Sequence, residues 1–238
     1  MSWLRRRMMA NVGGGEQHDA DRYIQNGLVF QLDGIDKGND ATKWIDRKNG
    51  IEWSNHGANR LPNGWYFDGA TSYLTSSGMG TYDISSCTLE FVFDAEVSNA
   101  MWFAFVDAGA NLIFNYTYNY AGQNWLIIKG KSSGNSIGGA SPLSKSILGA
   151  HIASMVALPA NANVNVINGV THYNINVNYS AAASAIIGAR ISASTNLPSN
   201  FFKGTIYSIR IYNRLLTVEE MLENQVIDNE RFALGLSI

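Results

Sequence analysis

Side chains of residues 206 to 212 alternate between a mixed, partly polar set and an apolar set. Alternate positions divide into two sets, with Ile206, Ser208, Arg210 and Tyr212 on one side and Tyr207, Ile209 and Ile211 on the other. Because successive side chains of a β-strand point to opposite faces, this period of two predicts a strand.

The residues that follow predict a helix over residues 217–227. Thr217 precedes Glu220 by three positions, which is the spacing of a capping box. One apolar stripe at helical spacing comes after it, formed by Val218, Met221, Leu222 and Val226. The helix is therefore expected to be amphipathic.

Upstream of this region, short β-rich runs alternate with turns that are rich in glycine, asparagine and serine, the rhythm of a β-sandwich. Asn168-Gly169 has the sequence of a type I′ hairpin turn, because both residues tolerate a positive φ. No convincing helix precedes Thr217. The chain of 238 residues is 46% hydrophobic and 15% charged, so it can bury a sizeable core, and we predict a single all-β domain.

Six segments of the chain follow one another in the order of a known family. They are 27–33 (GLVFQLD), 65–74 (WYFDGATSYL), 88–93 (TLEFVF), 164–170 (VNVINGV), 186–190 (IIGAR) and 202–220 (FKGTIYSIRIYNRLLTVEE). The series resembles laminin-G-like (concanavalin A-like) jelly-roll domains. This resemblance implies a two-sheet antiparallel jelly-roll sandwich with a short C-terminal helix. It divides the chain into an N-terminal basic tail with a glycine hinge, residues 1–26, and a jelly-roll domain, residues 27–238.

Charge and cysteine content exclude several classes of protein. The net charge of −2 and the pI near 6.1 argue against nucleic-acid binding, which needs a basic face. The single cysteine, Cys87, has no partner for an intrachain disulfide. No apolar run approaches the roughly 18 residues of a membrane helix. We therefore predict no nucleic-acid partner and no membrane span.

Three carboxylates near one predicted strand raise the question of glycoside hydrolysis, which uses two carboxylates. Glu90, Asp94 and Glu96 share a face by alternation. Their spacing, E-x-x-x-D-x-E, departs from the E-x-D-x-x-E that the resemblance to laminarinase-type sandwiches implies. We interpret them as a polar outer face over an aromatic core, and predict a protein that is not an enzyme. A glycoside hydrolase using Glu90 and Asp94 is kept as an alternative.

Glycan binding is the function that the resemblance to concanavalin A-like sandwiches implies. Sugar C–H faces stack on aromatic rings, and side-chain amides bond vicinal hydroxyls. The predicted glycan-binding residues lie around the turn at 121–124 and are Tyr118, Tyr120, Asn124 and Trp125. The alternation of tyrosine with asparagine at 111–120 also arises from core burial alone, so a buried role for the tyrosines is the alternative.

A second polar face is predicted for the hairpin at 161–179, where asparagines alternate with apolar residues. Such a neutral, amide-rich face suits a polyhydroxyl ligand or a wet protein interface, and it equally suits a solvated surface. A purely structural jelly roll, which binds a protein partner through this face, is therefore an alternative to glycan binding.

The first residues of the chain are basic. Trp3 precedes Arg5, Arg6 and Arg7, and a triglycine follows at 13–15. Only three apolar residues come directly after the arginines, whereas a secretory signal needs about 7–15. We therefore predict no secretory signal peptide. The tail is expected to dock on an acidic partner surface, and a disordered leader without a role is the alternative.

A basic hinged tail, the predicted lack of a signal peptide and a sugar-binding sandwich together lead to a hypothesis about where the protein acts. They fit a virion-associated bacteriophage protein, either a capsid decoration or a tail-adhesion module on the virion surface. The tail would bind a virion or capsid protein, and the sandwich would bind a host-surface or mucus glycan. Weak sugar contacts need multivalency, so an oligomer is expected in the assembly.

Calcium is the cofactor that the resemblance raises, since laminin-G-like domains often hold one Ca²⁺ through aspartate, asparagine and backbone oxygens. Asp68, Asp83 and Asp107 occupy loop-like positions but form no contiguous calcium loop. Asp68 also fits a turn former before Gly69. We therefore assign no metal and predict no cofactor, with a calcium ion that cannot be assigned to particular residues as the alternative.

Overall fold

The structure is a computed structural model that describes residues 22–36, 38–76, 87–97, 101–106, 112–120, 123–132, 135–143, 149–157, 163–174, 184–192, 195 and 197–238. Only the backbone is described for the strand residues between 101 and 143 and for 155–157, 163–165, 172–174, 184 and 190. These residues contain the strands β1 (Leu28–Asp33), β2 (Lys43–Ile45), β3 (Glu52–His56), β4 (Asn59–Leu61), β5 (Gly64–Asp68), β6 (Tyr73–Ser76), β7 (Cys87–Ala95), β8 (Met101–Val106), β9 (Leu112–Tyr120), β10 (Gln123–Ser132), β11 (Asn135–Leu143), β12 (Gly149–Ala157), β13 (Asn163–Ile167), β14 (Val170–Asn174), β15 (Ser184–Ile187), β16 (Arg190–Ile191), β17 (Pro198–Ser199) and β18 (Lys203–Tyr212), and the helix α1 (Val218–Arg231).

The strands form two large antiparallel sheets. Sheet A has the order β14-β13-β12-β7-β18-β5-β4, and β1 also pairs with β18. Sheet B has the order β11-β10-β9-β8-β15-β6-β3-β2, and β16 pairs with β17 in a separate ribbon. This arrangement, with one short C-terminal helix, confirms the predicted all-β, two-sheet antiparallel fold.

Aromatic side chains from both sheets meet in the core. Trp44 of sheet B stacks on Trp65 of sheet A, with ring centroids 6.1 Å apart. Phe30 of sheet A meets Trp53 of sheet B edge to face at 6.0 Å. All four side chains are fully buried. Each pair joins the two sheets, so burial of these rings holds the sandwich together.

The final strand, β18, contains a β-bulge at Tyr207. Its register with β7 shifts between Ile206 and Ser208. Ile206 therefore lies in the core with Ile209 and Ile211, instead of sharing a face with Ser208. An extra residue in one strand interrupts the alternation of faces. The prediction of a strand is confirmed, whereas the faces predicted for Ile206 and Tyr207 are wrong, because Tyr207 packs on Phe232 outside this core.

The helix begins with the predicted capping box. Thr217 Oγ1 accepts a hydrogen bond from the Glu220 N–H at 3.2 Å, and Glu220 Oε2 accepts one from the Thr217 N–H at 2.9 Å. The helix then continues to Arg231, one turn beyond residue 227. No helix in the described part of the chain is long and apolar enough to cross a membrane.

The face that α1 buries is largely polar. Its buried residues are Met221, Asn224, Gln225, Ile227 and Asp228. Val226, predicted for the apolar stripe, is only half-buried. Because charged side chains of sheet A lie beneath the helix, amides and a carboxylate take the buried positions.

Candidate functional site

Glu90, the candidate catalytic carboxylate, lies buried beneath α1. Its carboxylate accepts hydrogen bonds from Arg210 Nε at 2.8 Å, Ser154 Oγ at 2.9 Å and Asn224 Nδ2 at 2.9 Å. Burial raises the pKa of Glu90, and the Arg210 guanidinium opposes that rise. A carboxylate so enclosed is out of reach of a substrate, so Glu90 has a structural role.

Arg210 joins sheet A to α1 through a second buried carboxylate. Its Nη1 donates to Asp228 Oδ1 at 2.8 Å, and its Nη2 donates to Asp228 Oδ2. The ring of Tyr23 covers the guanidinium, with its centroid 3.9 Å from Cζ. The planar guanidinium thus has carboxylate partners in its plane and an aromatic ring on its face, which is the environment that arginine favours when buried.

The same network reaches the N-terminal side of the sandwich. Tyr23 donates its hydroxyl hydrogen to Asp228 at 2.6 Å, and Arg231 Nη1 donates to the Tyr23 oxygen at 2.9 Å and to Asp33 Oδ2 at 2.6 Å. Next to Tyr23, Arg22 forms an ion pair with the exposed Glu230 at 2.7 Å. Residues 22–26, which the sequence placed in the tail, therefore include a side chain packed under α1, while the domain boundaries themselves stay a prediction.

The three carboxylates of the β7 region have different surroundings. Glu90 lies under α1, whereas Asp94 is half-buried and Glu96 is exposed. The predicted polar outer face is therefore right for Asp94 and Glu96 and wrong for Glu90. A glycosidase needs both carboxylates at one glycosidic bond. The covered Glu90 cannot form such a pair with Asp94.

A group of polar and aromatic side chains lies on the outer face of sheet A beyond the helix. Tyr66 of β5 pairs with Thr205 of β18, which pairs with Asp94 of β7, so the three residues form a row across adjacent strands. The ring of Tyr207 packs on Phe232, with centroids 5.4 Å apart. We define the outer-face patch as Tyr66, Asp94, Glu96, Lys203, Thr205 and Tyr207.

The two carboxylates of the outer-face patch differ in their partners. Glu96 Oε2 accepts a hydrogen bond from the Tyr66 hydroxyl at 3.3 Å and pairs with Lys203 Nζ at 3.2 Å. Burial raises the pKa of Asp94, and the nearby Glu96 adds to the rise. Burial likewise raises the pKa of Tyr207, with a further contribution from Asp94. Within the described residues, no donor bonds the Asp94 carboxylate.

The predicted glycan-binding residues lie in the antiparallel pair β9–β10 of sheet B. The backbone register sets Trp125 opposite Tyr118, and Asn124 opposite Asn119. Directly opposed residues share a face, so Trp125 and Tyr118 lie on one face and Asn124 on the other. Because β10 already begins at Gln123, the connection is shorter than the predicted turn at 121–124. The role of the four predicted residues in sugar binding stays a prediction.

The remaining candidates separate into two groups. Trp3, Arg5, Arg6, Arg7, Asp83 and Asp107 lie outside the described residues. Asp68 accepts hydrogen bonds from the N–H groups of Thr71, Ala70 and Ser72, which hold its pKa well below the usual range. It therefore acts as a turn former. In the part of the chain that the structure describes, no three His, Cys, Asp or Glu side chains form a metal-binding group.

Sequence reasoning missed Tyr66, Lys203, Thr205 and Tyr207 as surface candidates. The buried residues Trp65 and Phe67 flank Tyr66, an alternation that already indicates an outward tyrosine. No comparable signal exists for Tyr207, because the bulge decides its environment.

Comparison with solved structures identifies the class of fold. The structure is similar to the binding domain of botulinum neurotoxin serotype D/C, with a TM-score of 0.59 and 13% identity over 84% of this chain and 52% of that chain. It is similar to Trypanosoma rangeli sialidase in complex with sialic acid, with a TM-score of 0.57 and 15% identity, and the match covers 86% of this chain and 33% of the sialidase. It is also similar to domain 4 of a GH43 extracellular arabinanase from Geobacillus stearothermophilus in complex with arabinotriose. That match has a TM-score of 0.54 and 14% identity, and it covers 82% of this chain and 97% of the arabinanase domain.

These similarities confirm a jelly-roll sandwich, and at such identities they show the fold alone. The chain spans about half of the neurotoxin binding domain and a third of the sialidase, but nearly all of the arabinanase domain. No protein-family model matches the sequence, and no curated protein matches it. Membership of the laminin-G-like family therefore stays a prediction.

Proposed function

We propose that this protein is a non-catalytic glycan-recognition module of the laminin-G-like type. The observation that carries the proposal is the register of β9 and β10, which sets Trp125 directly opposite Tyr118, with Tyr120 two residues further along β9. Neighbouring aromatic residues on one face of a sheet are suited to stacking on sugar rings. The burial of Glu90 under α1 supports the non-catalytic part of the proposal.

The structural neighbours support the same function. One is a sialidase in complex with sialic acid, and another is an arabinanase domain in complex with arabinotriose. A third structure concerns botulinum neurotoxin type C, whose cell entry depends on interaction with two ganglioside molecules. The fold of this chain thus recurs in proteins that are seen in complex with sugars or that interact with gangliosides.

A glycan array tests this function with residues 10–238 beside the full-length chain. We expect at least one glycan to bind, and the variants Trp125→Ala and Tyr120→Ala to lower its affinity about tenfold or more, because truncating an aromatic anchor removes most of a stacking contact. Each array is run with and without calcium, since the sequence left a calcium requirement open. Trp65→Phe, which stays in the buried core, is the control that retains binding. An affinity that is unchanged in both variants would contradict this site.

We further propose that the sandwich is displayed on a bacteriophage virion, as a decoration or tail-adhesion protein anchored through Trp3, Arg5, Arg6 and Arg7. Arg22, which follows the basic segment in the sequence, pairs with Glu230 near the end of α1 at 2.7 Å. Display in many copies would raise the avidity of weak sugar contacts.

Co-sedimentation with the virions of a candidate bacteriophage tests whether the basic segment binds the particle. We expect the full-length chain to sediment with the particles, and Arg5→Ala, Arg6→Ala and Arg7→Ala together to abolish this while glycan binding is unchanged, because cations that pair with an acidic surface are lost. The control replaces Arg47, a partly exposed arginine that pairs with Asp36 of the jelly-roll domain, by lysine. Particle assembly without any glycan binding would favour a purely structural, protein-binding jelly roll.

A further inference from the structure

We propose that the outer-face patch is a second binding site, which takes a neutral, hydroxyl-rich sugar unit. This inference rests on the proposed function for the nature of the ligand, but it concerns a different surface. The patch lies on β5, β7 and β18 of sheet A, with Glu96 directly after β7, whereas the β9–β10 hairpin belongs to sheet B.

The row of Tyr66, Thr205 and Asp94 gives the site its shape. These residues are direct partners on three adjacent strands, and adjacent strands lie about 4.8 Å apart, so the row is about 10 Å wide. Tyr207 stands beside the row, where the bulge places it against Phe232. The rings of Tyr66, at the other end of the row from Asp94, and of Tyr207, in β18, supply apolar surface for sugar C–H groups.

The hydrogen-bonding groups of the patch divide into a fixed half and a free half. Glu96 is held by Tyr66 and Lys203, so its position is set before a ligand arrives. Among the described residues, Asp94 and the hydroxyls of Thr205 and Tyr207 make no side-chain hydrogen bond. A half-buried carboxylate has lost part of its hydration, so hydrogen-bond donors of a ligand stabilise it strongly. The vicinal hydroxyls of a sugar are such donors.

The charges of the patch define which sugars fit. Asp94 and Glu96 carry two negative charges, and the single ammonium of Lys203 is already engaged by Glu96. A carboxylated sugar such as sialic acid would place another negative charge next to Asp94. Neutral glycans are therefore favoured over sialylated ones by about fivefold or more.

Calorimetric titration of Trp125→Ala with soluble neutral oligosaccharides isolates the patch, because this variant lacks the predicted stacking residue of the hairpin. We expect residual binding of a neutral oligosaccharide, unchanged by EDTA. Adding Asp94→Asn should lower that affinity about tenfold or more, since a hydrogen bond to a charged acceptor is lost. Tyr207→Phe, which removes one hydroxyl, should weaken binding less. Glu52→Gln is the matched control, because Glu52 is an exposed carboxylate paired with Lys43 at 2.6 Å in the other sheet.

The outcomes separate the two proposals. If the native chain binds glycans but Trp125→Ala binds none, the patch is not a site while the proposed function stands. Unchanged affinity on adding Asp94→Asn, a preference for sialylated glycans, or loss of binding in EDTA would also overturn the patch. Silence of the native chain on every glycan would overturn both proposals. Matching thermal unfolding curves for all variants would show that differences in affinity do not come from misfolding.

Discussion

Replacing Arg210 with methionine lowers the free energy of unfolding by about 3–5 kcal/mol, the usual effect of removing one member of a buried ion pair. Arg210 is fully buried and is the cation between Glu90 and Asp228. Methionine fills much of the same space but leaves both carboxylates without their counter-ion. Urea unfolding followed by fluorescence of the buried tryptophans measures the loss.

The pH dependence of this variant follows from Glu90. Burial raises the pKa of Glu90, and the variant lacks the cation that opposes this rise. The folded variant therefore binds more protons than its unfolded state above the ordinary pKa of 4.5, so its stability falls as the pH rises through that window. The loss relative to the native chain should be larger at about pH 7 than at about pH 4.

Arg214→Met is the control for Arg210→Met. Arg214 also forms a two-pronged pair, with Glu220 at 2.7 Å and 2.8 Å, but both side chains are partly exposed. A pair in contact with water contributes only about 0–1 kcal/mol. Equal losses for the two variants would mean that the network under α1 is solvated.

Replacing Gly204 with alanine should lower the free energy of unfolding by about 2–4 kcal/mol. Gly204 has a φ of +137°, and a Cβ there would lie 2.0 Å from the backbone oxygen of Asp94. That oxygen belongs to β7, the neighbouring strand, so the strands must separate at the outer-face patch. Urea unfolding measures the loss, and titration with glycans measures its effect on the patch.

Gly50→Ala is the control that separates the two causes of the loss expected for Gly204→Ala, which are backbone strain at positive φ and steric collision of the added Cβ. Gly50 has a φ of +68°, but a Cβ there would meet nothing within 4 Å. Its replacement should cost only about 1 kcal/mol, the strain of an alanine at positive φ. If Gly204→Ala costs no more than this, β18 does not approach β7 as closely as the structure shows.

The predictions that the structure confirms depend on residues that are close in sequence. Alternation over seven residues identified β18, and a spacing of three identified the cap at Thr217 and Glu220. Such patterns follow from the geometry of one strand or one helical turn. The fold class came from the resemblance of six segments, and the two sheets and the jelly-roll neighbours confirm it.

The predictions that failed depend on residues far apart in sequence. The apolar stripe predicted for the helix does not include Asn224 and Asp228, yet both are buried. Asn224 bonds Glu90, which precedes it by 134 residues. Neither segment shows from its own pattern that the other will cover it. The interpretation of Glu90 as a surface carboxylate failed for the same reason.

The two candidate sites show the same division. The hairpin with Tyr118 and Trp125 was predicted from one continuous segment, and the register of β9 and β10 then paired the two residues. The outer-face patch could not be predicted, because Tyr66, Asp94 and Thr205 come from three strands that meet only in sheet A.

The sequence by itself determined the strands and the capped C-terminal helix, because alternation and capping are properties of neighbouring residues. Only the tertiary structure decided which polar side chains are buried and which are available to a ligand. That choice depends on which strands pair, where a bulge interrupts the alternation of faces, and what α1 covers. Glu90 and Asp94 lie four residues apart on one strand, but Glu90 pairs with Arg210 of β18 under the cover of α1, whereas Asp94 lies beyond the helix and stays half-buried.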